Sequence, residues 1–174
     1  MKVTRQLERI EPMILGPLAE AVGDDWHYAP DGKWSLAQIL SHLAIGIDIV
    51  ASVFDRRAGR TDMKRRATPK QQLLRQLALG VGKLPSPQKV PRAAYPEEHP
   101  DPELISAQFR IGVERFASMV ERWPQERQEN IFVGHPVLGD LNLPEWIRFF
   151  YLHCRYYEHK INVRLRWLRR SARQ

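Results

Sequence analysis

The sequence has only one cysteine, Cys154, among 174 residues. No internal disulfide can form, and a cysteine-rich zinc motif is excluded. The chain also lacks a Gly-rich phosphate loop and a Gly-x-Ser-x-Gly nucleophile elbow, so it has no sign of those two enzyme classes. No secretory signal pattern is visible, and no stretch approaches eighteen uncharged apolar residues. We therefore expect a cytoplasmic protein without membrane insertion.

The composition is that of a globular protein, with 43% hydrophobic and 27% charged residues. Its length suits one domain over residues 1–174. The net charge of +7 arises mainly from two basic clusters, in the connection 56–70 and at the C-terminal end 164–173. There is no recognised nucleic-acid motif, and no aromatic residues are interleaved with the first cluster. A solvated basic surface is therefore favoured over nucleic-acid binding.

Apolar residues recur at helical spacing in four long stretches, at about 4–22, 35–55, 101–123 and 142–170. A shorter pattern predicts an extra helix at about 69–80. The apolar stripe of the first helix includes Val22 and that of the third includes Leu104, so both are expected to be buried. Pro12 and Pro17 predict a kink in the first helix or its division into two pieces. Because no stretch alternates as a strand does, the sequence predicts an all-α protein.

Helix starts and loops are marked by local signals. Five prolines between Pro85 and Pro100 exclude regular structure until about Asp101, and such a long loop typically has a function or covers one end of a domain. Residues 134–139 are expected to form a second loop. Three helix starts carry capping residues: Ser35 with Gln38, Asp101 before Pro102, and Asn142 with Glu145.

Two of the six histidines lie near the middle of predicted helices. His42 is flanked by Leu40 and Leu43, and His153 follows Phe149 and Leu152. A lone core histidine is usually a packing residue, but histidines on facing helices of a bundle are how such folds build metal sites. If both helix faces point inward, the two imidazoles meet in the core.

The runs that contain these histidines resemble the signatures of the DinB-like superfamily. The first begins at Trp34 and reads WSLAQILSHL; the second begins at His135, reads HPVLGDLNLPEW, and continues to HCRYYEHKI. The His-Pro-x-x-Gly-x-Leu segment is most similar to a branch known only as a domain of unknown function. The resemblance implies an up-down-down-up four-helix bundle. In many members three histidines bind zinc or nickel, one from the second helix and two from a His-x-x-x-His pair on the last.

Carried onto this chain, the resemblance makes His42 and His153 metal ligands and places Tyr157 where a third histidine is expected. Residues 153 and 157 differ by about 40° around a helix and share a face, whereas His159 lies about 240° from His153 and cannot join it. His135, before the last helix, is a conceivable replacement ligand. Alternatively, the two histidines and the tyrosine form a buried hydrogen-bonded cluster without metal.

Two functions remain open at this stage. The resemblance implies a metal-dependent hydrolase or thiol-transferase acting on a small-molecule substrate, with a degenerate third ligand. The missing histidine equally permits a non-catalytic binding or assembly module that has lost the metal. A homodimer is expected in either case, because closed two-fold pairing is the commonest oligomeric arrangement.

Overall fold

A computed structural model describes residues 3–30, 32–60, 64–82, 84 and 90–171. Within these ranges the chain is mostly helical, as predicted, with one small hairpin. The elements in chain order are α1 (Val3–Leu18), α2 (Leu36–Arg57), α3 (Pro69–Val81), α4 (Pro102–Arg122), α5 (Gln125–Asn130), β1 (Phe132–His135), β2 (Gly139–Asn142) and α6 (Leu143–Ser171). Two short 3-10 helices lie at Gly23–Trp26 and Arg92–Ala94.

The capping residues begin the helices where the sequence indicates. The Ser35 hydroxyl accepts a hydrogen bond from the Gln38 backbone N–H at 3.1 Å, and the Gln38 side chain accepts one from the Ser35 N–H at 3.0 Å. Each side chain thus satisfies a backbone donor that has no partner within the helix. Asp101 caps α4 in the same way. Both internal prolines lie within a single helix, α1, so of the two predicted alternatives the division into two pieces does not occur.

Four helices, α1, α2, α4 and α6, form the bundle, and their contacts give the chain directions. Arg9 lies over the ring of Tyr151, and Glu20, just past the end of α1, pairs with Arg169 further along α6, so α1 and α6 run parallel. Likewise Gly112 packs on Ile47 and Phe116 on Phe54, so α2 and α4 run parallel.

The contact between α2 and α6 is antiparallel. Gly46 lies against Phe150, whereas His42, one turn earlier on α2, lies against His153, one turn later on α6. With α1 taken as up, the order is up, down, down, up. This confirms the predicted topology, and the α2–α6 interface is where the two candidate histidines meet.

The connection expected as a loop at 134–139 is instead a hairpin in which β1 pairs antiparallel with β2. Each strand has only four residues, too few for a visible alternation. Gly139 takes a left-handed φ of 74°, and a Cβ there would lie 2.9 Å from the Cβ of Ala67. Turn geometry and close packing therefore both require glycine at this position.

The basic connection fastens this hairpin to the bundle. Arg57 donates to the backbone carbonyl of Phe132, and Arg65 pairs with Glu145 at 2.9 Å while lying over the Phe132 ring. The Arg66 backbone N–H donates to Asp140 at 2.7 Å. The positive charges of Arg57 and Arg65 thus have structural partners within the chain.

Two predicted core residues are exposed. Val22 is 72% exposed because α1 ends at Leu18 and the chain has already left the helix at that point. Leu104 is 58% exposed because it lies in the first turn of α4, where the buried stripe begins one residue later at Ile105. Helical periodicity therefore identifies an apolar stripe, but it does not show how much of that stripe neighbouring helices cover.

Of the described helices, only α2 is long and apolar enough to cross a membrane, with a mean hydropathy of 1.7. The sequence expectation concerned uncharged apolar stretches, and α2 is not one because it contains Asp48 and Asp55. Sixty-one per cent of that window is buried inside the bundle, where α2 packs on both α4 and α6. Its apolar character is explained by its place at the centre of the core.

Candidate functional site

The site is built around two imidazoles brought together by the antiparallel α2–α6 contact. Nε2 of His42 lies 3.3 Å from Nε2 of His153. His42 is buried, and His153 is partly accessible. The rings are inclined at 64°, with centroids 5.5 Å apart. The meeting of two imidazoles from distant parts of the chain, expected from sequence, is present in the structure.

His42 is oriented by a backbone group on its other side. Its Nδ1 lies 2.8 Å from the carbonyl oxygen of Ala94, in the segment between α3 and α4. Because a carbonyl only accepts, Nδ1 carries the proton and the neutral ring presents a lone pair at Nε2. Burial lowers the pKa of His42, and the Ala94 hydrogen bond partly offsets this. The ring also packs on Trp34, with centroids 4.9 Å apart.

His153 lies between two aromatic rings of its own helix. Phe149, one turn before, stacks on it at 5.2 Å, and Tyr157, one turn after, meets it edge-on at 5.0 Å. Burial lowers the pKa of His153 to about 3, with smaller contributions from the nearby His42, His135 and Lys160. Both imidazoles are therefore neutral near pH 7, which is the form that binds metals.

Tyr157 completes the cluster at the position where the resemblance implies a histidine. Its ring is 5.5 Å from that of His42, and the side chain is 4% exposed. Burial, with a smaller effect from Tyr156, raises the pKa of its phenol well above the usual value. The phenol is thus a neutral hydrogen-bond donor near pH 7. The ammonium of Lys160 lies 5.7 Å from the centre of the Tyr157 ring.

His135 does not supply a third imidazole. Its Nδ1 accepts hydrogen bonds from the backbone N–H groups of Val137 and Leu138, both at 3.1 Å. Its ring packs on Phe149 at 4.6 Å, which places Phe149 between His135 and His153. The proposed replacement ligand is therefore a structural residue of the hairpin turn, and burial lowers its pKa to about 4.

The remaining sequence candidates lie outside the cluster. His159 is exposed, as its angular position predicts. His27 and His99 are exposed and face each other with centroids 6.0 Å apart. Cys154 is fully buried, and burial raises the pKa of its thiol, so it has no nucleophilic character. A shallow cleft of about 630 Å³ opens beside His135 but reaches neither His42 nor His153.

The geometry of the pair can be compared with what a metal requires. Zinc–nitrogen distances of about 2.0–2.1 Å place two nitrogens of a tetrahedral site about 3.3–3.4 Å apart. The two Nε2 atoms are at 3.3 Å, and the Ala94 carbonyl holds His42 as outer partners commonly hold ligating histidines. Within the described residues there is no group of three His, Cys, Asp or Glu side chains suited to a metal. The two Nε2 atoms therefore have the separation of two ligands in a tetrahedral zinc site, and the third group beside them is the phenol of Tyr157.

Sequence reasoning missed the groups that surround the pair. The Ala94 carbonyl left no signal, because any residue could supply it. Trp34 lies in the recognised run, but its packing on His42 was not predicted. Gln38 was identified only as a cap, although its side-chain amide also donates to the carbonyls of Glu97 and Glu98.

Comparison with known proteins agrees with this architecture. A solved structure of YfiT from Bacillus subtilis, described as a probable metal-dependent hydrolase with an unusual four-helix bundle topology, superposes with a TM-score of 0.64 and 14% sequence identity. The match covers 95% of this chain and 85% of that one. A search of curated proteins gives no match. The family model described as "Protein of unknown function (DUF1569)" matches residues 24–164. The chain therefore belongs to the DUF1569 family and has a four-helix-bundle fold like that of YfiT.

Proposed function

We propose that this protein binds a divalent metal, zinc or nickel, between His42 and His153 and uses it in hydrolysis or thiol transfer on a small molecule. The observation that carries the proposal is the 3.3 Å separation of the two Nε2 atoms. That distance is the edge of a tetrahedral zinc site. The structurally similar YfiT is described as a probable metal-dependent hydrolase, which supports the metal-dependent part of the proposal.

The electrostatics of the pair support this proposal. A buried imidazole with a lowered pKa does not lose its lone pair to a proton near pH 7, so no proton competes with the metal. The metal would supply Lewis-acid polarisation of a substrate oxygen. His42 and His153 would hold it, and Tyr157 would act beside them either as the third ligand, through its oxygen, or as a proton donor. Trp34 packs on the ring of His42, and Phe149 stacks on that of His153.

The test is metal content of untagged protein reconstituted with zinc or nickel. We expect close to one metal per chain for the wild type, a loss of most of it in His42→Ala and in His153→Ala, and no change in His159→Ala. The last variant removes an exposed imidazole of the same helix and is the matched control. Well under one metal per wild-type chain would overturn the proposal.

A second function is favoured by the incomplete ligand set, since no third His, Cys, Asp or Glu of the described chain accompanies the pair. In this alternative His153 donates from Nε2 to Nε2 of His42, and the bundle is a non-catalytic binding module. It predicts that the wild type contains no metal. It also predicts that His42→Ala is less stable than the wild type by about 1–3 kcal/mol, because buried hydrogen bonds are lost.

A further inference from the structure

A segment of the long connection lies against His42, and we call residues 92–99 the strap. It begins with the 3-10 turn Arg92–Ala94, and most of its side chains are exposed. Two α2 side chains hold it, and both bind backbone carbonyls: His42 binds Ala94, and Gln38 binds Glu97 and Glu98. Because Gln38 and His42 are four residues apart, they lie on the same face of α2.

Gln38 performs two tasks with different atoms of one amide. Its Oε1 accepts the Ser35 N–H and caps α2, while its Nε2 donates to the carbonyls of Glu97 and Glu98 at 3.4 and 3.2 Å. A glutamate at this position would keep the first contact, because its carboxylate also accepts. It would lose the second, because a carboxylate has no N–H and faces two carbonyl oxygens.

The strap determines which nitrogen of His42 carries the proton. With the Ala94 carbonyl in place, the proton is on Nδ1 and the lone pair on Nε2 points toward His153. Without the carbonyl, the neutral ring is free to carry the proton on Nε2, and that tautomer cannot ligate through Nε2. An aromatic contact also ties the strap to the site, since Tyr95 packs edge-on against Trp34, which packs on His42.

We propose that Gln38 is a positioning residue, which holds the strap so that the Ala94 carbonyl selects the His42 tautomer with a free Nε2. Strap docking and ligand binding at Nε2 are then coupled, each favouring the other by the same factor. The part that concerns metal rests on the proposed function. The tautomer and the docking of the strap are properties of the metal-free chain.

The decisive variant is Gln38→Glu, which preserves the cap and removes the donor. Its matched control is Gln71→Glu, the same substitution in the corresponding capping box of α3, where Gln71 accepts the Thr68 N–H at 2.9 Å. In metal-free protein, nitrogen NMR should show the Nδ1–H tautomer of His42 in the wild type and in Gln71→Glu, and a mixture in Gln38→Glu. Hydrogen exchange of the Ala94 and Tyr95 amides should become about tenfold faster in Gln38→Glu alone.

Zinc titration by chelator competition supplies the second readout. Loss of an outer partner of a ligating histidine weakens metal binding by about 10–100-fold. Because Gln38 acts one step further out, we expect about tenfold weaker zinc binding in Gln38→Glu, and slower exchange of the strap amides in the wild type once zinc is bound. Gln38→Ala should release the strap equally and also lower Tm through the lost cap.

The outcomes separate the two proposals. If wild-type protein binds no zinc but the His42 tautomer and strap exchange respond to Gln38→Glu, the metal proposal fails and the positioning role of Gln38 stands. If zinc binds and Gln38→Glu leaves tautomer, exchange and affinity as in Gln71→Glu, the positioning role is wrong.

Discussion

Replacing Tyr157 with histidine should convert the two-imidazole pair into a three-imidazole site. Position 157 is one turn from His153, and its ring already lies 5.0 Å from His153 and 5.5 Å from His42. An imidazole there would stand at the third vertex beside both Nε2 atoms. Three protein ligands with one open position is the usual composition of catalytic zinc sites.

The gain in affinity follows from the cost of deprotonating the phenol. At pH 7.5 a phenol with an ordinary pKa costs about 3.4 kcal/mol to ionise, equivalent to roughly 300-fold in affinity. Burial raises the pKa of Tyr157 further, which increases this cost. An imidazole ligates while neutral and avoids the penalty. We therefore expect Tyr157→His to bind zinc at least about 100-fold more tightly than the wild type.

The stability of the metal-free variant should change in the opposite direction. Tyr157 is 4% exposed, and the smaller histidine leaves part of its volume unfilled, which costs about 1–3 kcal/mol. Zinc at 100 times its Kd raises the free energy of unfolding by about 2.7 kcal/mol, because it binds only the folded state. Thermal unfolding with and without zinc should thus show a lower Tm for the metal-free variant and a larger rise on zinc addition.

The control is Arg155→His, which adds an imidazole to an exposed position on the other side of α6. Chelator-competition titrations of the three proteins measure the affinities directly. If Tyr157→His binds zinc no more tightly than the wild type and Arg155→His, the third vertex is not at residue 157 and the reasoning is refuted.

Two further predictions concern stability. Gly112→Ala should destabilise the fold by about 1–3 kcal/mol, because the added Cβ would lie 2.6 Å from Ile47 where α2 crosses α4. Gly80→Ala should instead stabilise the fold by about 0.5–1 kcal/mol, because the space around Gly80 is open. Urea unfolding midpoints equal to that of the wild type would contradict both predictions. Burial lowers the pKa of His135 to about 4 in the folded state, so below pH 6.5 the unfolded state takes up a proton that the folded state does not. The free energy of unfolding is therefore highest above pH 6.5 and falls as the pH drops toward 4. Wild-type unfolding free energy should fall by about 1 kcal/mol more than that of His135→Gln between pH 7.5 and 5.5, and parallel pH profiles would refute this.

The helices were predictable because their signals are local. Ser35, Asp101 and Asn142 cap helices within one residue of the predicted starts. The hairpin was not predictable, because four-residue strands are specified by partners elsewhere, such as Ala67 against Gly139. Exposure at the ends of apolar stripes was likewise misjudged, since it depends on where neighbouring helices stop.

The site was predictable to the extent that its residues have a distinctive chemistry. His42 and His153 stand out as imidazoles in apolar stripes, and the resemblance assigns them to facing helices. The Ala94 carbonyl cannot be identified from sequence, because every residue carries one. Gln38 illustrates a related limit: its capping role is a local pattern, whereas its contact with the strap spans about sixty residues and depends on the fold.

Position 157 is the decisive one because the metal-free and metal-bound states of the proposed site would differ by very little at the imidazole pair. In this structure Nδ1–H of His42 donates to Ala94, and Nε2 presents its lone pair toward His153. A proton on Nε2 of His153 would fill the gap between the two Nε2 atoms as a hydrogen bond, and a bound metal would take the place of that proton. In this structure no described polar atom of the cluster is buried without a hydrogen-bond partner. The pair alone therefore satisfies both functions equally, and only the third donor distinguishes them: a third imidazole gains affinity only if the gap accepts a cation.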